Sequence, residues 1–264
     1  VRYAVNATGP SDVSAAVRFA QDQNVRLVVR NTGHDYLGRS TGAGALAVWT
    51  HYMKNTEVLD WTDDEGEYQG KAIKIGAGVQ GFDLLPVATE HGLVVVSGEC
   101  PSVALAGGYT QGGGHSMLST SFGLAADNTL DFEVVTASGE LVTASRSENA
   151  DLYWALSGGG PGTFGVVVSM TVRAHPDARV SGFSLSVLAS DEDEAASDPE
   201  APRKAANALH ETVADMVDAG IMMVYATGKT FTSVVAATAY NTEVARLRTI
   251  AAPFLAKLDE AGIL

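Results

Sequence analysis

Three dense glycine clusters constrain this chain more than any other feature. They fall in Asn31 to Gly42, Gly98 to Gly114 and Gly158 to Gly165, and they carry much of a total of 28 glycines in 264 residues. The usual share is about 7%. Glycine is costly inside helices and strands, so such clusters read as loops whose backbone must turn sharply or approach something closely. Successive N–H groups in such a loop form a concavity for a pyrophosphate without any basic side chain. Three loops facing one groove would hold a large, extended ligand.

A fourth motif competes with that reading. Gly76-Ala77-Gly78-Val79-Gln80-Gly81 fits GxGxxG, follows a strand pattern, precedes a helix pattern and has Glu99 about twenty residues on. On its own it is either a dinucleotide fingerprint or a glycine-rich turn with no ligand. Within the larger clusters two residues carry chemistry. His34 sits in a small, polar loop, where a histidine is commonly just solvated. Cys100 lies in the turn Gly98-Glu99-Cys100-Pro101. A lone cysteine is commonly a small buried hydrophobe, but a turn after a strand suits an exposed, reactive thiol.

Composition removes several classes. Lys plus Arg is 17 against 31 Asp plus Glu, a formal charge of −14, which argues against duplex nucleic acid and against an anionic membrane surface. Hydrophobic residues at 46% exclude general disorder, and no run approaches the roughly 20 apolar residues of a membrane span. A single cysteine excludes an intrachain disulfide and a multi-cysteine metal site; no metal ligand set is expected.

Helix and strand patterns alternate along the chain. Val13, Ala16, Val17 and Ala20 give a helical face after Pro10. Strand patterns cover 25–30, 45–50, 71–75, 93–96 and 166–173, with a hairpin over 132–144 and helices over 82–91 and 151–156. After His175-Pro176 the composition changes. Asp191 to Pro202 is acidic and reads as an exposed loop. Residues 179–264 read β-α-β-β-α, with the last helix, 242–258, interrupted or restarted at Pro253. The expected boundary divides 1–177 from 178–264. The chain opens without Met or a leader pattern and closes straight after a helix. We expect a fragment of a longer protein, with a companion C-terminal segment as its partner. Asn6-Ala7-Thr8 fits the N-glycosylation pattern, and secretion is the matching expectation.

Asn31-Thr32-Gly33-His34-Asp35-Tyr36 resembles the flavin-attachment loop of FAD-linked oxidases of the vanillyl-alcohol oxidase type, closest to the fungal members of the berberine-bridge-enzyme-like branch. Gly98-Glu99-Cys100-Pro101-Ser102-Val103, running into Gly107-Gly108-Tyr109-Thr110-Gln111-Gly112-Gly113-Gly114, resembles the second attachment loop of that branch. Leu124-Ala125-Ala126-Asp127-Asn128 and the segment Gly158 to Val167 are similar to two further family segments. The order holds over about residues 1 to 175. The resemblance implies an α+β fold: a PCMH-type FAD-binding domain of two α/β subdomains, then the first half of an antiparallel-sheet substrate domain. It makes Gly76 to Gly81 a structural turn.

It further implies FAD held bicovalently, as an 8α-histidyl link to His34 and a 6-S-cysteinyl link to Cys100. Arg30, Asn31, Thr32, Gly33, Asp35, Tyr36 and Ser40 would surround the pyrophosphate. Glu99, Val103, Gly107, Gly108, Gln111, Gly112, Gly114, His115, Ser116, Leu118, Asp127, Gly160, Gly165, Val166 and Val167 would line the rest of the cofactor. Val103 takes the place of an oxygen gate, Tyr36 is a candidate for direct catalysis, and the catalytic base is expected beyond Leu264. Two departures stand out: Asp35 where relatives carry Ser, and Thr163 where they carry Asn. A charged Asp35 near a diphosphate requires a partner, and Arg39 is the candidate.

The implied function is hydride transfer from a small-molecule alcohol, phenol, sugar or amine to flavin, with oxygen as electron acceptor and hydrogen peroxide as product. The alternatives are a non-catalytic flavin-binding relative and a dehydrogenase using another acceptor.

Overall fold

The computed structural model describes residues 3–63, 67–189 and 198–264. They form two compact units, Val1–Asp177 and Ala178–Leu264. The acidic stretch 190–197 lies outside the described residues, so only the end of the expected acidic loop is seen. There Ala201 and Pro202 already open a helix.

The first unit contains two larger sheets and one two-stranded pair. In the smaller, β1 (Tyr3–Asn6), β2 (Leu27–Arg30) and β3 (Leu46–Trp49) run parallel in the order β1-β3-β2. Parallel neighbours need a crossover, and α1 (Pro10–Asp22) supplies it. Pro10 starts α1 where its missing N–H costs nothing. Val13, Ala16, Val17 and Ala20 are its buried face.

The larger sheet is antiparallel. It comprises β4 (Thr56–Thr62), β5 (Gln69–Gly76), β7 (Thr129–Val135), β8 (Leu141–Ser145) and β9 (Val166–Arg173), in the order β4-β5-β9-β7-β8. Between them β6 (Leu93–Val94) pairs with β10 (His175–Pro176). Helices α2 (Gly81–Glu90), α3 (Ser119–Phe122) and α4 (Ala150–Leu156) complete the unit. Period-two alternation sends Ile73, Ile75, Phe132, Val134, Met170 and Val172 into one core with Val13, Val48, Leu84 and Leu105. The intervening residues Lys74, Glu133 and Ser169 form a hydrogen-bonded polar row on the opposite face.

The second unit is β11 (Val180–Leu188), α5 (Ala201–Asp218), β12 (Ile221–Thr227), β13 (Phe231–Tyr240) and α6 (Val244–Glu260). Its antiparallel sheet has the order β11-β13-β12. Leu209, Met216, Ile221, Val234, Leu247, Phe254 and Leu258 form a separate core. One sequence expectation needs correction, and one strand carried no expectation. α6 runs unbroken through Pro253, because Ala251, Phe254 and Leu258 bury one continuous face on both sides of it. β4 carries no clear strand pattern, since as an edge strand it exposes Glu57 and Asp60. The architecture is α+β: a parallel and a larger antiparallel sheet with their helices in the first unit, and a three-stranded antiparallel sheet with two helices in the second.

Candidate cofactor site

The GxGxxG segment is a structural support. A Cβ at Gly78 would lie 2.2 Å from the His51 carbonyl oxygen, and one at Gly76 would lie 2.4 Å from that of Met53. These glycines exist because the 50–53 turn crosses directly over them. The opening N–H groups of α2 are already used. Gly81 N–H donates to the Val103 carbonyl at 3.2 Å and Phe82 N–H to that of Pro101 at 3.0 Å. Gln80 and Asp83 close a capping box on the remainder, and Lys54 bridges both side chains. Among the described residues no donor is left there for a pyrophosphate, which removes the dinucleotide-fingerprint reading. The turn instead carries the cysteine loop: the Gln80 amide donates to the Ser102 carbonyl at 2.6 Å, and Leu105 N–H to that of Val79 at 3.1 Å.

On that support the two reactive residues meet. His34 Nε2 lies 2.9 Å from Ser102 Oγ, and Cys100 Sγ lies 3.3 Å from the same oxygen. Cys100 is exposed. The Ser102 hydroxyl, followed by the Ser102 and Val103 amides, lowers its thiol below the ordinary range. Ser102 was part of the motif in sequence but carried no assigned role; only tertiary geometry shows it between the two loops.

The remaining loop surface is amide-rich. Among the described residues no backbone N–H from Asn31 to Tyr36 has a protein acceptor. Asp35, the departure from the family pattern, is paired. Arg39 contacts its carboxylate from the side chain at 2.7 Å and 3.0 Å and from the main chain at 2.6 Å. These bonds hold the Asp35 carboxyl below its usual range. Asn31 donates to the Ala77 carbonyl and accepts from the Trp49 indole through its own carbonyl. Among the described residues its Oδ1 is buried without a partner, as are Thr110 Oγ1 and Gln111 Oε1. Gly107 sits beside Asn31, with its missing side chain 3.9 Å from the Asn31 Cβ. Gly160 N–H donates to the Gln111 carbonyl at 2.9 Å, tying the third cluster to the second.

Other expected site residues sit further back. Tyr36 is fully exposed at the loop tip, with no bond to the His34–Ser102–Cys100 group. Arg30 packs its guanidinium against Gly33, at 3.2 Å from where a Cβ would stand. Thr32 lies within the amide-lined segment and Ser40 beyond it, both half-buried. Glu99 and His115 approach to 3.7 Å. Between their loops the Tyr109 phenol donates to the His115 carbonyl, and burial, then the Glu99 charge, pushes its pKa up. Ser116 is buried and accepts from Leu118 N–H, while Asp127 accepts from Leu124 N–H. Both are turn-building roles. Gly112 closes on Gly108, and Gly114 packs on Ala125. Val166 and Val167 are core residues of β9, behind Gly165, whose backbone crosses Val134 too closely for any side chain. Their side chains face the core, so they can offer a ligand only main chain.

An amide-lined glycine surface around a histidine and a cysteine, on a parallel and an antiparallel sheet, defines an FAD-binding domain of VAO type. The chain belongs to that family: the FAD binding domain pattern matches residues 1–145. It is 55% identical over 263 residues to FAD-linked oxidoreductase ZEB1 of Gibberella zeae, covering all of this chain and 45% of that protein. It is 46% identical over 265 residues to the VAO-type flavoprotein oxidase VAO615 of Thermothelomyces thermophilus, covering 44% of it. The crystal structure of the VAO-type flavoprotein MtVAO615 from Myceliophthora thermophila superposes with a TM-score of 0.91 at 45% identity, over 98% of this chain and 46% of that one. The chain thus spans slightly under half the length of these relatives. The residues present fit FAD: the Asn31–Tyr36 amides are free of protein acceptors, and among the described residues buried oxygens of Asn31, Thr110 and Gln111 in the same glycine clusters have no partner.

Proposed function

We propose that this chain is the flavin-holding part of an FAD-dependent oxidase carrying its cofactor on both His34 and Cys100. The observation that carries the reading is the meeting of these two residues, 66 positions apart in sequence, at one serine hydroxyl. Asn31 to Tyr36 would hold the pyrophosphate with main-chain N–H groups. Asn31, Thr110 and Gln111 would offer their unpartnered oxygens to the polar part of the ligand, and Gly107 and Gly108 would let it lie against the backbone. FAD, when bound, supplies a two-electron acceptor for hydride from an alcohol, phenol, sugar or amine carbon and passes the electrons to dioxygen.

The chain's own contribution is position and access. Val103 is fixed on both sides, its N–H donating to the Cys100 carbonyl and its carbonyl accepting from Gly81. Its small side chain is thereby held at the attachment turn, where it would leave room for oxygen. The name of VAO615, an oxidase, supports the same reading. Substrate contacts would come from outside the FAD-binding domain, and secretion with glycosylation at the exposed Asn6 belongs to the proposal.

The test is acid precipitation of the whole protein followed by peptide mapping for flavin adducts, with hydrogen peroxide release measured against a panel of alcohols, phenols, sugars and amines. Adducts on both peptides together with peroxide are the expected result. Flavin released entirely into the supernatant would refute covalent attachment, and bound flavin without peroxide would refute the oxidase.

A further inference from the structure

We propose that Ser102 is the positioning residue for cofactor attachment, its single hydroxyl readying His34 and Cys100 together. The inference rests on the covalent reading above. A hydroxyl has one proton to give and lone pairs to accept with. When Ser102 accepts from His34 Nε2–H and donates to Cys100 Sγ, the sulfur is held as thiolate. Neutral His34 then keeps a free lone pair on Nδ1. Both groups become nucleophiles through one oxygen, at 2.9 Å and 3.3 Å.

The seat of that oxygen is rigid for reasons already visible in the fold. The Ser102 carbonyl accepts from the Gln80 amide, and the flanking Pro101 and Val103 carbonyls accept from the first two N–H groups of α2. Val103 N–H closes the turn on Cys100. The glycine-rich turn that holds no ligand therefore fixes the hydroxyl that serves the ligand. The same hydroxyl is the first cause that lowers the thiol of the exposed Cys100.

The chemistry balances. Each attachment replaces a carbon–hydrogen bond of the flavin by a carbon–nitrogen or carbon–sulfur bond. Two protons leave, one from the carbon and one from the nucleophile: from His34 Nε2, or from Cys100 when its thiolate forms. Two electrons enter the ring system and pass to dioxygen, giving hydrogen peroxide.

The experiment uses the whole protein made under riboflavin limitation, mixed with FAD and quenched in acid at intervals. Adducts on the His34 and Cys100 peptides are quantified separately. Ser102→Thr keeps the hydroxyl, and Ser102→Val is its isostere without one, so folding is matched between them. Expected is a Thr variant close to wild type. The Val variant should bind FAD non-covalently but form both adducts more than about tenfold more slowly. In flavin-free protein, the pH midpoint for alkylation of Cys100 should move upward in the Val variant and not in the Thr variant. Attachment at the wild-type rate in the Val variant, or an unmoved thiol midpoint, would overturn the role of Ser102 while leaving covalent attachment intact. Absence of adducts in the wild type would overturn both.

Discussion

His175 shows how a single side chain can be fixed by counting donors. The two amide hydrogens of Asn128 go to the Phe122 and Leu124 carbonyls, both at 2.8 Å. Its Oδ1 therefore accepts from His175 Nε2 at 2.7 Å, and the imidazole stacks on Phe122 at 3.8 Å. Burial first, then the Arg173 charge, lowers the His175 pKa below 6.5. The folded form thus binds fewer protons than the unfolded one. This contribution to stability is complete above the unfolded value of about 6.5 and is lost as pH falls through the lower folded value. The urea midpoint of wild type minus that of His175→Gln should accordingly shrink as pH is lowered from 8 to about 5; a constant difference would exclude the linkage. Val103 belongs to the same scale. Val103→Ile should slow reoxidation by dioxygen about tenfold, on the order of 1.4 kcal/mol of barrier, with reduction by substrate unchanged in stopped-flow absorbance. His34 and Cys100 were legible in sequence because their loops are glycine-rich and motif-like. Ser102 and His175 were not, because their importance lies in partners far away in the chain.

At the scale of elements, the legible parts are those where pattern and environment agree. The face of α1 and the run Val166–Arg173 declare themselves, the first by its period and the second by burial throughout. β4 does not, because an edge strand with one neighbour can carry Glu57 and Asp60 without cost. Pro253 misleads in the other direction: it removes one helical hydrogen bond, and the packing of Phe254 and Leu258 outweighs that loss. The GxGxxG turn is the sharpest case, since one pattern serves two physical ends. If it bound a nucleotide, substituting its glycines would weaken the ligand first. Here a Cβ at Gly78 would collide with the Thr50 and His51 carbonyls, at 2.7 Å and 2.2 Å. Gly78→Ala should therefore cost about 3 kcal/mol in chemical denaturation, by overpacking against backbone that cannot turn aside. A variant of native stability with only flavin affinity reduced would revive the ligand-binding role.

For the whole molecule, the pairing order is the property furthest from local pattern. β9 inserts between β5 and β7, so that Ile73 lies opposite Val172, and no periodicity encodes a partner a hundred positions away. The same topology leaves open edges. β11 and β12 each pair on one side only among the described residues, and Val180, Leu188 and Val235 stand more than half exposed on that sheet. Unpaired edges with apolar neighbours favour association between chains. The formal charge of −14 opposes it by mutual repulsion. Repulsion is long-ranged and screenable, whereas edge pairing and apolar contact are short-ranged and little affected by screening. Raising ionic strength from about 0.01 M to about 1 M shortens the Debye length from about 30 Å to about 3 Å and removes only the repulsion. Light scattering from a chain of these 264 residues should therefore show association that increases with salt. Val235→Lys, adding charge to that exposed sheet position, should reduce the association at every salt concentration. Association that weakens with salt would mean that ion pairs between chains hold them together, and the open edges would then have no part in it.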